Sequence, residues 1–155
     1  MSDTPPTPSP TPESLDTATL RLLMENLPDR IYFKDLKSRF VRVNLAHAEW
    51  LGVADPAEVV GKSDFDFFSP SHADKAFTEE QVIIRTGQPI VGEVQHITRR
   101  DGVEAWGSTT KMPWRDGSGR IIGTFGVTRN VTAAKQAEDK LIEERNLLRT
   151  IIDQV

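Results

Sequence analysis

The chain has 155 residues, 37% of them hydrophobic and 27% charged, with 19 Lys and Arg against 23 Asp and Glu for a net charge of -4. That is enough for one packed domain with appendages, and the acidic balance lacks the basic patch that displaces counterions from phosphates, so no nucleic-acid partner is expected. The absence of cysteine excludes disulfides, thiolate metal sites and cysteine nucleophiles; no apolar run approaches a membrane span and no signal-peptide pattern occurs, so a cytoplasmic protein off the membrane is expected.

Residues 1–13, with prolines scattered among Ser, Thr and Asp, cannot bury apolar surface and read as a disordered leader. Ser14 caps an expected flanking helix over 15–27, in a 14–28 segment that Pro28 closes, with Leu15, Leu20, Leu23 and Leu27 as its apolar stripe. Two short strands, 31–34 and 40–43, flank a polar turn and predict a hairpin. A short helix follows over 44–51, with Asn44 as cap and Gly52 as stop, then a helical turn at 56–60. The longest central helix is expected over 71–86, closed by Gly87, with Phe77 and Ile84 on its buried face. Three longer strands complete a 29–131 unit, over 90–99, 103–114 and 120–131, joined by turns at 100–102 and 116–119 whose Asp-Gly pairs supply positive φ. The predicted fold class is α+β, a five-stranded antiparallel sheet with short helices on one face.

The tail, 132–155, changes period. Ala134, Ala137, Leu141, Glu144, Leu148, Ile151 and Val155 alternate by three and four, a heptad seam with one charged flaw, and a helix of this length buries such a stripe by pairing with a second chain. A single amphipathic helix folding back on its own domain would show a similar stripe. The last ten residues also echo 19–27: Leu20 and Arg21 recur as Leu148 and Arg149, and Leu23, Met24, Glu25, Asn26 and Leu27 as Ile151, Ile152, Asp153, Gln154 and Val155. A repeat beginning there predicts one module of a tandem array.

The order of elements, with LPDRIYFKD at 27–35, FVRVN at 40–44, GKSDFD at 61–66, RDG at 100–102 followed by Trp106, DGSGRIIG at 116–123 and GVTRNVT at 126–132, resembles the PAS domains of bacterial signalling proteins. The resemblance spans about 20–132. It implies a half-barrel whose sheet cups a small cavity, and a sensory input module relaying through a dimeric C-terminal helix to a downstream kinase, cyclic-di-GMP enzyme or chemoreceptor output. A ligand-free dimerisation and relay spacer is the alternative. The family's last strand usually ends in an Asp before the signalling helix; here Asn130 stands there with Thr132, able to cap but uncharged, and the two are the expected relay residues.

The photosensing branches of the family need a reactive cysteine, absent here, and the heme branch places a ligating His where this chain has Lys75 and Ala76. Covalent flavin and family-type heme are therefore not expected; a noncovalent flavin or small organic ligand remains open. The expected cavity lining is apolar: Tyr32, Trp50, Phe65, Phe68, Phe77, Ile84, Val94 and Trp106, with His96 a polar candidate. The same side chains could equally fill the space as core. His47 and His72 read as solvated helix surface. Asp64 and Asp66 read as caps of a short helix, since two carboxylates make a poor divalent-ion site. No nucleophile with its base, phosphate loop or zinc motif is present, so no enzymatic activity is expected.

Overall fold

The structure is a computed structural model that describes residues 8–9 and 11–155. Most of the expected leader lies outside the described residues. Helix α1, Pro12–Asn26, begins earlier than the sequence suggests, because Thr11 rather than Ser14 is its cap: the Ser14 N–H donates to Thr11 Oγ1 at 3.2 Å and Pro12 occupies the first turn, where its missing N–H costs nothing. Its anchor is Met24, 6% exposed. The leucines expected to bury, Leu15, Leu20, Leu23 and Leu27, are all exposed.

Strands β1, Arg30–Asp35, and β2, Phe40–Val43, form the hairpin. Asp35 ties the turn with its side chain, accepting N–H bonds from Lys37 and Arg39, while Ser38 takes a positive φ of 58°. Helix α2, Leu45–Leu51, starts on the Asn44 side chain and stops at Gly52 in the left-handed region. Short 3-10 turns follow at Pro56–Val59 and Asp64–Asp66, and then α3, Pro70–Thr86. The remaining strands are β3, Ile90–Thr98, β4, Glu104–Arg115, and β5, Ile121–Asn130; α4, Thr132–Asp153, completes the chain.

All five strands pair antiparallel in the order β2-β1-β5-β4-β3, so β5 lies mid-sheet and runs directly into α4. The concave face carries α2, the 3-10 turns and α3. The core cluster there is Tyr32, Phe40, Val43, Ala48, Leu51, Val59, Phe68 and Ile97. The opposite face is half-buried by its own cross-strand pairs, with Phe33 edge-on to Trp114 at 5.3 Å and stacked on Phe125 at 5.6 Å.

Helix α3 buries Ala73, Ala76, Glu80 and Ile83. The face expected from Phe77 and Ile84 is rotated away: Phe77 is 41% exposed and Ile84 half-buried. Two alanines let the helix lie close to the sheet, and Glu80 is drawn inward by a cation described below. Helix α4 buries nothing and does not fold back on the domain; its seven expected seam residues are all exposed.

Candidate functional site

Strand β1 alternates buried and half-buried residues, and the buried set is Arg30, Tyr32 and Lys34. Ile31 and Phe33 take the outer face. Two of the three positions turned into the half-barrel are therefore cations, and the neighbouring strands add Thr128 from β5, Thr109 and Lys111 from β4 and Gln95 from β3.

The cations are matched by acids from the helical side. Lys34 Nζ lies 2.5 Å from Asp64 Oδ2 and 2.5 Å from Glu80 Oε1, with all three side chains at most 9% exposed. Lys111 Nζ lies 3.0 Å from Glu79 and 3.6 Å from Glu80, and Gln95 donates to Glu79 at 3.1 Å. The result is an alternating chain, Asp64, Lys34, Glu80, Lys111, Glu79, that staples α3 and the second 3-10 turn to β1 and β4. Burial opposes the charge on Lys34, but Asp64 and Glu80 outweigh it and hold its pKa above the usual lysine value. Burial would likewise raise Asp64, yet Lys34 outweighs it and holds the carboxyl below the usual range. For Lys111, burial is overcome by Tyr32, Glu80 and Glu79, and the pKa is raised. Removing one member of such a set leaves an uncompensated buried charge.

Between these groups is a cavity of about 30 Å³, room for on the order of two water molecules. Tyr32 crosses one wall; its ring lies against Gly126, where a Cβ would come within 2.4 Å of the phenol. Burial raises the Tyr32 pKa, so the phenol stays protonated. His47 from α2 sits 5.1 Å from Tyr32 and 5.7 Å from Phe40, ring to ring. Both of its nitrogens are buried without a hydrogen-bond partner. Burial drives its pKa down to about 3, so the imidazole is neutral. Arg30 is 5% exposed and stacks 4.1 Å over Trp50, and it forms no ion pair among the described residues. His72 is half-buried against Phe68 at 5.0 Å and also lines the cavity, where burial lowers its pKa.

The lining is thus polar where an apolar one was expected. Of the nine candidates, the structure brings only Tyr32 to the cavity wall. Phe68 is buried in the adjoining core, and Trp50 is half-buried with Arg30 and Arg99 near its ring. Phe65 and Phe77 form an exposed pair 6.5 Å apart, and Ile84 stands away from the cavity. Val94, His96 and Trp106 point to the outer face, because Gln95, Ile97, Ala105 and Gly107 take the inward parity of β3 and β4. The His96 ring lies tilted 5.0 Å from that of Trp106, and its Nε2 lies 3.7 Å from Glu104. His47, read as surface, is interior. Asp66 does cap, accepting from the Ser63 N–H at 2.9 Å, whereas Asp64 is spent on Lys34. Arg30, Lys34, Glu80 and Lys111 were not anticipated, although placing Tyr32 inward fixes Arg30 and Lys34 inward by the period of two. No group of three or more His, Asp or Glu able to hold a metal ion occurs among the described residues.

The junction with α4 is hydrogen-bonded to β4. The Val131 N–H donates to the Trp106 carbonyl at 2.8 Å, and Thr132 Oγ1 accepts from the Trp106 N–H at 2.9 Å. Asn130 Oδ1 accepts from the Thr132 N–H at 3.0 Å and from its hydroxyl at 2.6 Å, so the asparagine orders the helix start without a charge. Lys135 then lies 5.1 Å over the Trp106 ring.

The family described as PAS fold matches residues 24–136. The chain is 33% identical over 128 residues to the methanogenesis regulatory histidine kinase FilI of Methanothrix harundinacea, covering 83% of this chain and 14% of that protein. It is 29% identical over 124 residues to the C4-dicarboxylate transport sensor protein DctS of Rhodobacter capsulatus, covering 79% of this chain and 19% of that protein. Among solved structures, the VqmA–ligand–DNA complex from Vibrio cholerae superposes with a TM-score of 0.65 at 28% identity, over 76% of this chain and 50% of that one. The chain therefore spans less than a fifth of its curated relatives and half of that structure. With the sheet order, the helices over the concave face and a match across most of its length, the chain belongs to the PAS fold family.

Proposed function

We propose that this chain is the sensory input module of a longer, cytoplasmic signalling protein, in which a change in the polar cavity is passed through β4 and β5 to a pair of α4 helices and on to an output domain. The observation that carries this reading is the clamp at Trp106. The strands that bring Thr109, Lys111 and Thr128 to the cavity are the same strands that hold Val131 and Thr132 by backbone and hydroxyl bonds. A displacement of either strand reaches the first turn of α4 without an intervening loop. The similarity to two sensor proteins supports the signalling role, and VqmA, similar in fold at 28% identity, was solved in complex with a ligand. Only an occupant with different affinities for the two helix arrangements can drive such a relay.

The seam residues Leu141, Leu148, Ile151 and Val155 face solvent, and none of the described residues covers them. A second copy covers them best, because a heptad stripe fits its own duplicate and a shared dyad passes one motion to both outputs. Because the chain has no cysteine, one nitroxide at Glu143→Cys reports the helix pair cleanly. The expected result is a short, defined distance that shifts when Lys111→Met disturbs the cavity in a chain that remains folded. A distance unmoved by that change contradicts the relay.

One observation favours a second reading, a ligand-free dimerisation and relay spacer: the cavity is small and its charges are largely paired within the chain. In that case, no small molecule displaces the melting temperature while the nitroxide distance still shows a pair.

A further inference from the structure

Two groups in the cavity wall lack the partners that the neighbouring lysines have. Lys34 and Lys111 have their carboxylates. Arg30 does not: the residue is 5% exposed, its guanidinium rests on the face of Trp50, and it meets no acid among the described residues. A cation–π contact offsets only part of the desolvation of a full charge, and five N–H donors remain to be served. His47 is the second, with two ring nitrogens buried and unpartnered at the same cavity. A neutral imidazole presents one N–H donor and one acceptor. The space between them is about 30 Å³, roughly that of two waters, which admits a molecule of a few heavy atoms and excludes a flavin or a fatty acid.

We propose that the cavity is a receptor site for a short-chain carboxylate of two or three carbons, its carboxylate held by Arg30 and by the N–H of His47. This rests on the sensory reading above and names its ligand class. The charge balance of the cavity selects the class. Asp64 and Glu80 are committed to Lys34, so an incoming anion meets the one buried cation whose charge is unmatched. The acceptor nitrogen of His47 takes a hydroxyl or a water, which makes a hydroxy acid such as glycolate a better fit than acetate. An anion beside His47 also opposes Arg30, one of the groups that hold the imidazole neutral.

The test uses the full chain in chloride buffer, with acetate, glycolate and acetamide as probes, read by isothermal titration and by the shift in melting temperature. Acetate and acetamide match in size and shape and differ in charge. Acetate and glycolate are expected to bind one per chain and raise the melting temperature, and acetamide to do neither. Arg30→Met is expected to weaken binding by roughly 10- to 100-fold, the value of a charge-assisted contact, and Arg30→Lys to restore part of it. His47→Gln, which keeps a donor and an acceptor, is the second variant should Arg30→Met fail to fold by circular dichroism; it is expected to keep binding that His47→Leu loses.

Acetamide binding as tightly as acetate overturns the proposal and leaves a sensor of neutral molecules. Undiminished acetate binding by folded Arg30→Met overturns the anchor. No binding by any probe up to roughly 10 mM, where a Kd of 1 mM is largely saturated, overturns it in favour of the spacer. The nitroxide distance, measured separately, decides whether the relay fails as well.

Discussion

The concave interior and helix α4 reverse the usual placement of polar and apolar groups in opposite senses. The interior buries Lys34, Asp64, Glu80 and Lys111 and completes nearly all of them from within the chain. Helix α4 exposes Leu141, Ile142, Leu148, Ile151 and Ile152 and completes none of them. A buried ion network gains its stability from members held in register by four elements of one domain, so it is a property of the monomer. An exposed apolar stripe gains stability only when something covers it, so on the proposed reading it belongs to an assembly. The two regions meet at Trp106 and the first turn of α4, which makes the junction the place where one can inform the other.

The interior is the more sensitive of the two regions. Lys34→Met strands Asp64 and Glu80 as buried carboxylates and is expected to lower stability by about 3–5 kcal/mol in urea unfolding, whereas charges placed on the exposed seam lower it only by what pairing contributes. Acid attacks the same region. The folded pKa of His47 is about 3 against 6.5 for the free side chain, so below pH 6.5 the unfolded chain takes up a proton that the folded chain refuses. Its contribution is whole above pH 6.5 and is lost as the pH falls towards 3, at a slope approaching about 1.4 kcal/mol per pH unit. His72 adds in the same direction, and Asp64 adds its own loss only below the usual carboxylate range. His47→Leu is expected to flatten the slope between pH 6 and pH 4, as seen in urea midpoints across that range.

On the helix, Glu144→Leu removes the charge from the seam and is expected to tighten pairing by about 2 kcal/mol, roughly thirtyfold in Kd by sedimentation equilibrium. Unchanged affinity contradicts the seam. The smallest effect is expected at the junction. Thr132→Val removes the hydroxyl that accepts from Trp106 and should cost about 1 kcal/mol of stability, with faster hydrogen exchange of the Trp106 amide and a nitroxide distance at position 143 that no longer responds to Lys111→Met.

The elements were legible in the sequence where chain punctuation is local. Gly52 and Gly87 end their helices at positive φ of 76° and 71°, Asn44 caps α2, and the Asp-Gly turns separate the last strands. The cavity was not, because both faces of this sheet carry large apolar residues. In β1 the alternation of Ile31 and Phe33 with Arg30, Tyr32 and Lys34 reads equally well in either phase, and tertiary partners on α3 decide it. A lysine becomes an interior residue when Asp64 and Glu80, 30 and 46 positions away, converge on it. Strand β4 shows the same limit: bulk argues for Trp106 inside, while the register with β5 turns Thr109 and Lys111 inward instead. The spacing in α4 reads as a seam for a second chain, and its residues are exposed as that reading requires, but a stripe names no partner.

The most direct measurement is sedimentation velocity on the whole chain beside a Leu141→Glu, Leu148→Glu double variant, each with its melting temperature. A dimer is expected for the first and a folded monomer for the second, its melting temperature lower only by what pairing contributes, because pairing belongs to α4 and the fold to the interior. A monomeric wild-type chain, or a dimer that survives both charges, contradicts it.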